Sequence, residues 1–418
     1  MAEEVERDDF WHNLDKLHEE NILHERITVL SKENEKQADD SDKEGSSLRQ
    51  RNEVLRKLEV VMEKVIESLR QWEAPVIELG NRTSWQNVRN EVLRKLEVVM
   101  EKVIESLRQW EAPVIELGNR TSWQNVSFSA DVGLKLNKGT NVCELRFDAI
   151  KSTNRFAVTL SLMSECYKLV QSNTFSTKRD IYYNDPQLYG SQSVVDQLAD
   201  SIACMLSVPR HHLHLLATSK GCLAGDLSFI EVDGNCINCS TSTTGILVPS
   251  HVEGLTNIRS DAKFILIIEK DATFQKLLDD GLLDRIQHCI IITGKGFPDI
   301  NTRMMVKRLW DSLHLPIFGL VDADPHGIEI LCVYKFGSKS YSFDSHNLTV
   351  PSIRWLGVLP SDVKRLQIPK DSLIPLTKAD MDKASELIKR PYYTQIPKWM
   401  KEFNIRGGKQ RFFFSLES

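Results

Sequence analysis

The 418-residue sequence has no uninterrupted apolar run of 18 residues, so no segment is long enough to cross a bilayer as a helix. Nor does it open like a secretory leader. Met1-Ala2-Glu3-Glu4-Val5-Glu6 is acidic and lacks the basic and apolar regions of a signal peptide. Without secretion, Asn-x-Ser/Thr triplets such as Asn81-Arg82-Thr83 carry no weight as glycosylation sites. Cysteine is sparse, eight residues scattered without a disulfide framework, which fits a reducing compartment. Cys236-x-x-Cys239 has ligand spacing but lacks the second pair of a zinc site, which favours a place in a hairpin. Gly294-Lys295-Gly296 lacks the Walker spacing and its Ser/Thr, so it reads as a tight turn after a strand.

What is present fits two or three cores, with 41% hydrophobic residues over a chain of this length. Charge is uneven. Residues 1–126 carry 27 acidic and 19 basic side chains, a net −8, whereas residues 127–418 carry 31 and 34, a net +3. The larger part is compatible with nucleic acid without demanding it, and the acidic head is ill suited to phosphate. Residues 1–50 read as that head, with an amphipathic helix over 10–30 and a polar linker over 32–50. Then comes an oddity: Arg51 through Val88 recurs without a change as Arg89 through Val126. Leu55, Leu58, Met62, Val65 and Leu69 fall at helical spacing in the first copy, ahead of a break at Pro75. Structural repeats normally drift and stack in threes or more, so a perfect pair points to a recent tandem duplication, a duplicated exon or an assembly error. A pair of docking helices for a partner is the alternative.

Two stretches carry chemistry. In Lys178-Arg179-Asp180-Ile181-Tyr182-Tyr183-Asn184-Asp185, Arg179 precedes Tyr183 by four residues, one helical turn on the same face. A phenol is a poor nucleophile at neutral pH, with an ordinary pKa of about 10. A guanidinium alongside favours the phenolate and grips phosphate, an arrangement that suits covalent attack on a phosphodiester. Tyrosine pairs are more often packing. Adjacent helical residues differ by about 100° in direction, so only one of Tyr182 and Tyr183 can enter a site. Downstream, the apolar runs before Glu269 and before Asp322-Ala323-Asp324 predict strands of a buried parallel sheet, whose crevice lies beyond their carboxyl ends. Glu269, Asp322 and Asp324 would form an all-oxygen cluster suited to Mg2+. A lone carboxylate there would more simply be a cap or a surface charge.

Taken together, Arg179-Asp180-Ile181-Tyr182-Tyr183, Ile268-Glu269-Lys270-Asp271-Ala272, Gly294-Lys295-Gly296-Phe297-Pro298-Asp299 and Val321-Asp322-Ala323-Asp324-Pro325-His326-Gly327 resemble the meiotic double-strand-break transesterases. These are relatives of the A-type chain of DNA topoisomerase VI. The resemblance spans about 127–400 and implies an α/β multidomain fold: a winged-helix domain over 127–255 bearing the catalytic tyrosine, then a Toprim metal-binding domain over 256–400 with a mainly parallel sheet. The residues between agree. Helices over 156–172 and about 190–206 flank a short tyrosine-bearing turn, and a hairpin over about 226–247 with Asp233-Gly234 at its turn completes a winged helix-turn-helix. Arg210, His211, His212, His214 and Lys220 read as a solvated or phosphate-facing loop between them. Strands 264–269, 289–293 and 316–322 alternate with helices 272–279, 301–312 and 325–330, the last merging into a further strand.

The resemblance further implies transesterification, with Tyr183 as nucleophile, Tyr182 as packing and Arg179 on the scissile phosphate. It implies Mg2+ at Glu269, Asp322 and Asp324, and DNA contacts at Lys178, Lys220, Lys295 and Arg303. The expected partners are double-stranded DNA, a second copy of the chain, and an ATP-binding topoisomerase VI B-like subunit docking on the N-terminal region, where one repeat copy is surplus. The expected location is the meiotic chromosome in the nucleus. Residues 401–418 read as a short divergent tail where the resemblance fails, although bases and aromatics from Lys389 to Phe414 interleave in a way that suits nucleic acid. Two rivals remain: a Toprim-type hydrolytic nuclease, and a non-catalytic DNA-binding or scaffolding isoform.

Overall fold

The computed structural model describes residues 84–139, 142–286, 288–367, 374–404 and 412–413. The acidic head and nearly all of the first repeat copy lie outside these residues. The chain divides into two compact units. The first takes the chain up to Asn119 together with Thr140–Leu216, and the second takes Arg120–Gly139 together with Ala217–Ser418.

In the first unit, helix α1 (Ser84–Arg108) comes almost wholly from the second repeat copy. Val92, Leu96, Met100, Val103 and Leu107 recur every three or four residues and are all buried, the stripe that packs α1 into the unit. Each such side chain contributes about 1.5–3 kcal/mol by leaving water. Tyr167 donates to Glu97 Oε1 at 2.9 Å and ties α1 to its neighbour. The helix stops before Pro113, as the break in the repeat predicts. Strand β1 (Val114–Gly118) then pairs antiparallel with β2 (Val142–Arg146). Helix α2 (Ile150–Ser172) is buried along most of its length and ends at Asn173, whose left-handed backbone lets its N–H close on Leu169 and Val170. Short helix α3 (Lys178–Asn184) and longer α4 (Gln192–Leu206) follow. Arg210 is buried and donates to Asp200 at 3.3 Å, and Leu213 and His214 are buried beside it. This stretch, expected as a solvated loop, is an interior connection, because the guanidinium has a carboxylate partner inside the unit.

The second unit is built on a six-stranded sheet. Its strands are β3 (Cys222–Gly225), β4 (Ile246–Leu247), β5 (Phe264–Ile268), β6 (Cys289–Thr293), β7 (Ile317–Leu320) and β8 (Arg354–Gly357). Their order is β4-β3-β6-β5-β7-β8. β6, β5, β7 and β8 are parallel, while β3 and β4 add antiparallel at one edge. The sheet is therefore mixed, with the expected parallel strands at its centre. Helices α5 (Asp271–Asp279), α6 (Ile300–Leu313), α7 (Pro325–Phe336) and α8 (Lys378–Ile388) belong to the same unit. Alternation along the strands sends Ile265, Ile267, Ile290 and Ile292 into a core with Met305, Leu309, Ile330 and Leu331. Leu266, Ile268 and Ile291 face the other way, onto Phe274 of α5. Both faces are covered, which is why these strands read as unbroken apolar runs.

Two expectations change here. The hairpin with Asp233-Gly234 at its turn is present, as Ser228–Ile230 against Cys236–Asn238. It belongs to the second unit, pairs with Thr256–Arg259, and is flanked by β3 and β4 of the six-stranded sheet. The break between units thus falls at 216/217, ahead of the expected 255/256. Strands of two to four residues such as Ile246–Leu247 carry too little periodicity to be assigned to a sheet from sequence. Helix α7 also runs on to Phe336 instead of passing into a strand after 330, and the next strand begins only at Arg354.

Candidate active site

Tyr183 stands on α3, only seven residues long and too short to persist on its own. Its N-terminal end is secured. Thr177 Oγ1 accepts from the Asp180 N–H at 3.1 Å while the Thr177 N–H donates to Asp180 Oδ2 at 3.2 Å, a reciprocal cap. At the far end Asp185 caps the next turn through the Leu188 N–H at 3.0 Å. Ile181 is the buried anchor, and Lys178 is paired with Asp196 on α4. Arg179 and Tyr183 each stand two residues from Ile181, about 200° around the helix, and so share the opposite face. Tyr183 is 64% exposed. Arg179 is exposed too, and among the described residues it has no ion-pair partner. Tyr182 is half-buried, its ring centroid 5.4 Å from that of Tyr183. Lys178, expected to meet DNA, has its ammonium committed to Asp196.

The carboxylates stand at strand ends of the second unit. Glu269 follows β5, with its N–H on Leu320 O at 3.1 Å and its carbonyl accepting from the Gly296 N–H at 2.8 Å. The Gly294-Lys295-Gly296 turn thus supports the glutamate's backbone. Glu269 Oε2 accepts from the Asp322 N–H at 2.8 Å, joining the ends of β5 and β7. Asp322 is 3% exposed, and its Oδ2 lies 3.1 Å from Lys270 Nζ. Asp324 caps α7, accepting from the Gly327 N–H at 2.6 Å, with Pro325 at the first helical position. A Cβ on Gly327 would sit 2.4 Å from Asp322 O and 2.8 Å from Glu269 Oε2, so the motif's glycine keeps the pocket open for the glutamate. Neither Lys270 nor Gly327 was assigned a role from sequence. The glycine three residues beyond Asp324 was the available signal, since a helix's first turn seldom favours glycine without a close approach.

Burial pushes the Glu269 carboxyl up to about 7, and the charges of Asp322 and Asp324 add to the rise. Burial likewise raises Asp324, with Asp322 contributing. Hard oxygens, three neighbouring carboxyls and a glycine-kept space fit Mg2+. The three side chains do not close into a tight chelate: one oxygen from each does not give a trio within 4.8 Å of one another. That openness suits an ion that keeps several of its waters.

The other expected DNA contacts separate. Lys220 is exposed, and its Nζ donates to Lys295 O at 3.4 Å. Lys295, in a left-handed turn, reaches Asp271 at 3.1 Å. These two are neighbours at the loop that supports Glu269. Arg303 does not join them. It is 3% exposed inside the unit, its guanidinium donating to Leu348 O and Ser338 Oγ beside the Tyr341 ring. Burial holds its pKa down at about 10. It packs α6 and cannot serve as a DNA contact.

Comparison with known proteins matches these two halves separately. Residues 154–215 match the family model for type IIB DNA topoisomerase, and residues 264–411 match that for the Toprim domain of the topoisomerase 6 A-subunit and Spo11. The second match runs past the expected divergence at 401. The human protein named meiotic recombination protein SPO11 is 54% identical over 361 residues, 86% of this chain and 82% of that protein. The mouse protein of the same name is 52% identical, over 85% and 80% of the two chains. The DNA topoisomerase 6 A-subunit of Arabidopsis thaliana is 36% identical over 62% of this chain and 60% of its own. With its tyrosine helix and its carboxylate pocket each inside a matched segment, the chain belongs to the family formed by Spo11 and the topoisomerase VI A-subunits.

Proposed function

We propose that this protein makes double-strand breaks in meiotic DNA by tyrosine transesterification and so initiates recombination. The Tyr183 oxygen loses its proton and bonds to a backbone phosphorus. The bond from phosphorus to the 3′ oxygen breaks, and that oxygen takes up a proton and leaves as a hydroxyl. A 5′-phosphotyrosyl link remains. Arg179, one turn earlier on the same face, grips the scissile phosphate and offsets the charge that develops on it. Glu269, Asp322 and Asp324 would hold Mg2+, which when bound orients the duplex and steadies the departing oxygen. Lys220 and Lys295 would meet the DNA backbone nearby. The first unit acts as the module that presents the tyrosine. Each tyrosine works at the carboxylate site of a second copy of the chain, so a homodimer cuts both strands, with a B-like ATP-binding subunit engaged through the N-terminal region. The place of action is the meiotic chromosome in the nucleus.

The observation that carries this reading is the shared, outward-facing placement of Tyr183 and Arg179 on an N-capped helix within the topoisomerase-matched segment. The test is covalent trapping: the chain with its partner, Mg2+ and a labelled duplex is denatured, and tyrosine-linked DNA is counted. Tyr183→Phe should form none while Tyr182→Phe still does. Cleavage by Tyr183→Phe without an adduct would establish a metal-dependent hydrolase instead. No adduct from the unaltered chain under the same conditions would establish a non-catalytic isoform.

A further inference from the structure

Lys270 follows Glu269 directly, at the entry to α5, and makes no side-chain cap there. Its ammonium turns to Asp322, 3.1 Å from Oδ2, and the lysine side chain is 25% exposed while the aspartate's is nearly closed off. The neighbouring groups are otherwise engaged. Asp271 is paired with Lys295, Glu269 Oε2 takes the Asp322 N–H, and Asp324 Oδ1 takes the Gly327 N–H. His326 and Asp380, which flank Asp324, pair with one another at 3.5 Å. An ammonium on a long, partly exposed stem therefore sits against the most buried of the three carboxylates.

We infer that Lys270 is a tethered counter-ion that occupies part of the divalent-cation position and gives up Asp322 when the metal binds. The inference rests on the reading of Glu269, Asp322 and Asp324 as the cation site. It makes metal binding an exchange of one cation for another. A buried carboxylate that loses its counter-charge is strongly destabilising, so a built-in cation lets the metal-free chain fold around its own acidic pocket. A lysine suits the role better than an arginine. Its compact, strongly hydrated ammonium can leave for water, whereas a guanidinium fork would hold the carboxylate by two hydrogen bonds. Once released, the ammonium lies free beside the cation site, where a phosphate would be its natural next partner. Lys270 is thus a positioning residue that sets the affinity for metal.

The test is Mn2+ and Mg2+ binding to the full chain without DNA, by calorimetry and by the electron paramagnetic resonance of free Mn2+, with melting temperatures in chelator and in excess Mg2+. Lys270→Gln should bind either ion about five- to tenfold more tightly, since a competing ion pair is gone. The same variant should melt lower than the unaltered chain in chelator and draw level in excess Mg2+. Lys270→Arg should keep the melting temperature in chelator and bind metal no more tightly than the unaltered chain. Unchanged or weaker binding by Lys270→Gln, with the unaltered chain binding normally, overturns the inference. If Lys270→Gln does not fold, Lys270→Met is read in the same way, because the site tolerates a side chain of that length. Failure of the unaltered chain to bind either ion, or undiminished binding by Asp322→Asn, overturns the assignment of the cation site itself.

Discussion

The two units present their reactive groups in opposite ways. In the first, Tyr183 stands 64% exposed on a seven-residue helix, held by one buried isoleucine and the reciprocal cap of Thr177 and Asp180. In the second, Glu269 and Asp322 are 8% and 3% exposed at the ends of central sheet strands. A nucleophile that must enter a phosphate backbone has to project, and a short capped helix projects it without surrounding it. Carboxylates that concentrate charge on a small cation gain from the reverse, since burial strengthens their field and raises their cost when empty. One site is therefore fixed by local hydrogen bonds, the other by the global fold. Substitutions should separate along that line: chemistry lost with stability kept in the first unit, both affected together in the second.

The largest expected effect tests the first half of this contrast. Tyr183→Phe removes a hydroxyl that makes no hydrogen bond among the described residues, so it should cut adduct formation by at least about 10⁴-fold. Its melting temperature should shift by no more than about 1 °C, because exposed substitutions of this kind stay within about 0.5 kcal/mol. A large drop in stability would mean that the phenol is part of the packing.

Gly327→Ala tests the second half. The added methyl meets the backbone oxygen and nitrogen of Asp322, which cannot swing aside, as well as the Glu269 carboxylate, which is held by the Asp322 N–H. A loss of about 3 kcal/mol in denaturant unfolding is expected, together with weaker metal binding. Metal affinity lost with stability intact would show the pocket to be locally adjustable, and the contrast between the units would fail.

Thr177→Ala should cost about 1 kcal/mol or less, the worth of one cap, yet slow adduct formation several-fold by letting α3 fray beneath Tyr183. The companion effect in the second unit depends on pH. Glu329 on α7 faces Lys383 at 2.8 Å and Arg390. Burial alone would raise its carboxyl, but the hydrogen bonds from Lys383 and Arg390 outweigh that and hold it below the ordinary carboxylate value. A lowered folded-state value means stability that is full above the unfolded-state pKa of about 4.5 and is lost as pH falls through the folded-state value. The melting-temperature gap between the unaltered chain and Glu329→Gln should accordingly be widest near pH 7 and close as pH drops below about 4.

How much of this was legible in the sequence follows the same division. The central strands could be read because burial on both faces leaves runs such as Phe264–Ile268 with no polar interruption, and the carboxylates that end them stand out by contrast. The helical face with Tyr183 and Arg179 could be read from a spacing of four. The break at 216/217 could not, because β3 and β4 are short and join the sheet only through partners distant in sequence, Cys222 opposite Thr293 among them. Arg303 misled because a guanidinium is ordinarily exposed, and the groups it meets inside, the carbonyl of Leu348, the hydroxyl of Ser338 and the ring of Tyr341, are brought in by the fold. Lys270 was hidden for a related reason: its partner Asp322 lies 52 positions further along the chain.

The smallest expected effect concerns the duplication. Because the copies are identical, deleting residues 51–88 or residues 89–126 yields one and the same polypeptide. In that chain every residue from Arg89 onward keeps its sequence, including Val92, Leu96, Met100, Val103 and Leu107 on the buried stripe of α1. Only the first turn of the helix changes, with Ser84–Val88 replaced by residues 46–50, and the side chains of Gln86 and Asn87 there are exposed. The melting temperature should therefore move by less than about 2 °C, within the range of surface substitutions. A fall beyond about 5 °C would mean that the first copy packs against the folded chain as the second does. The duplicate would then be a working part of the first unit, and the unit would owe its stability to more than the stripe on α1.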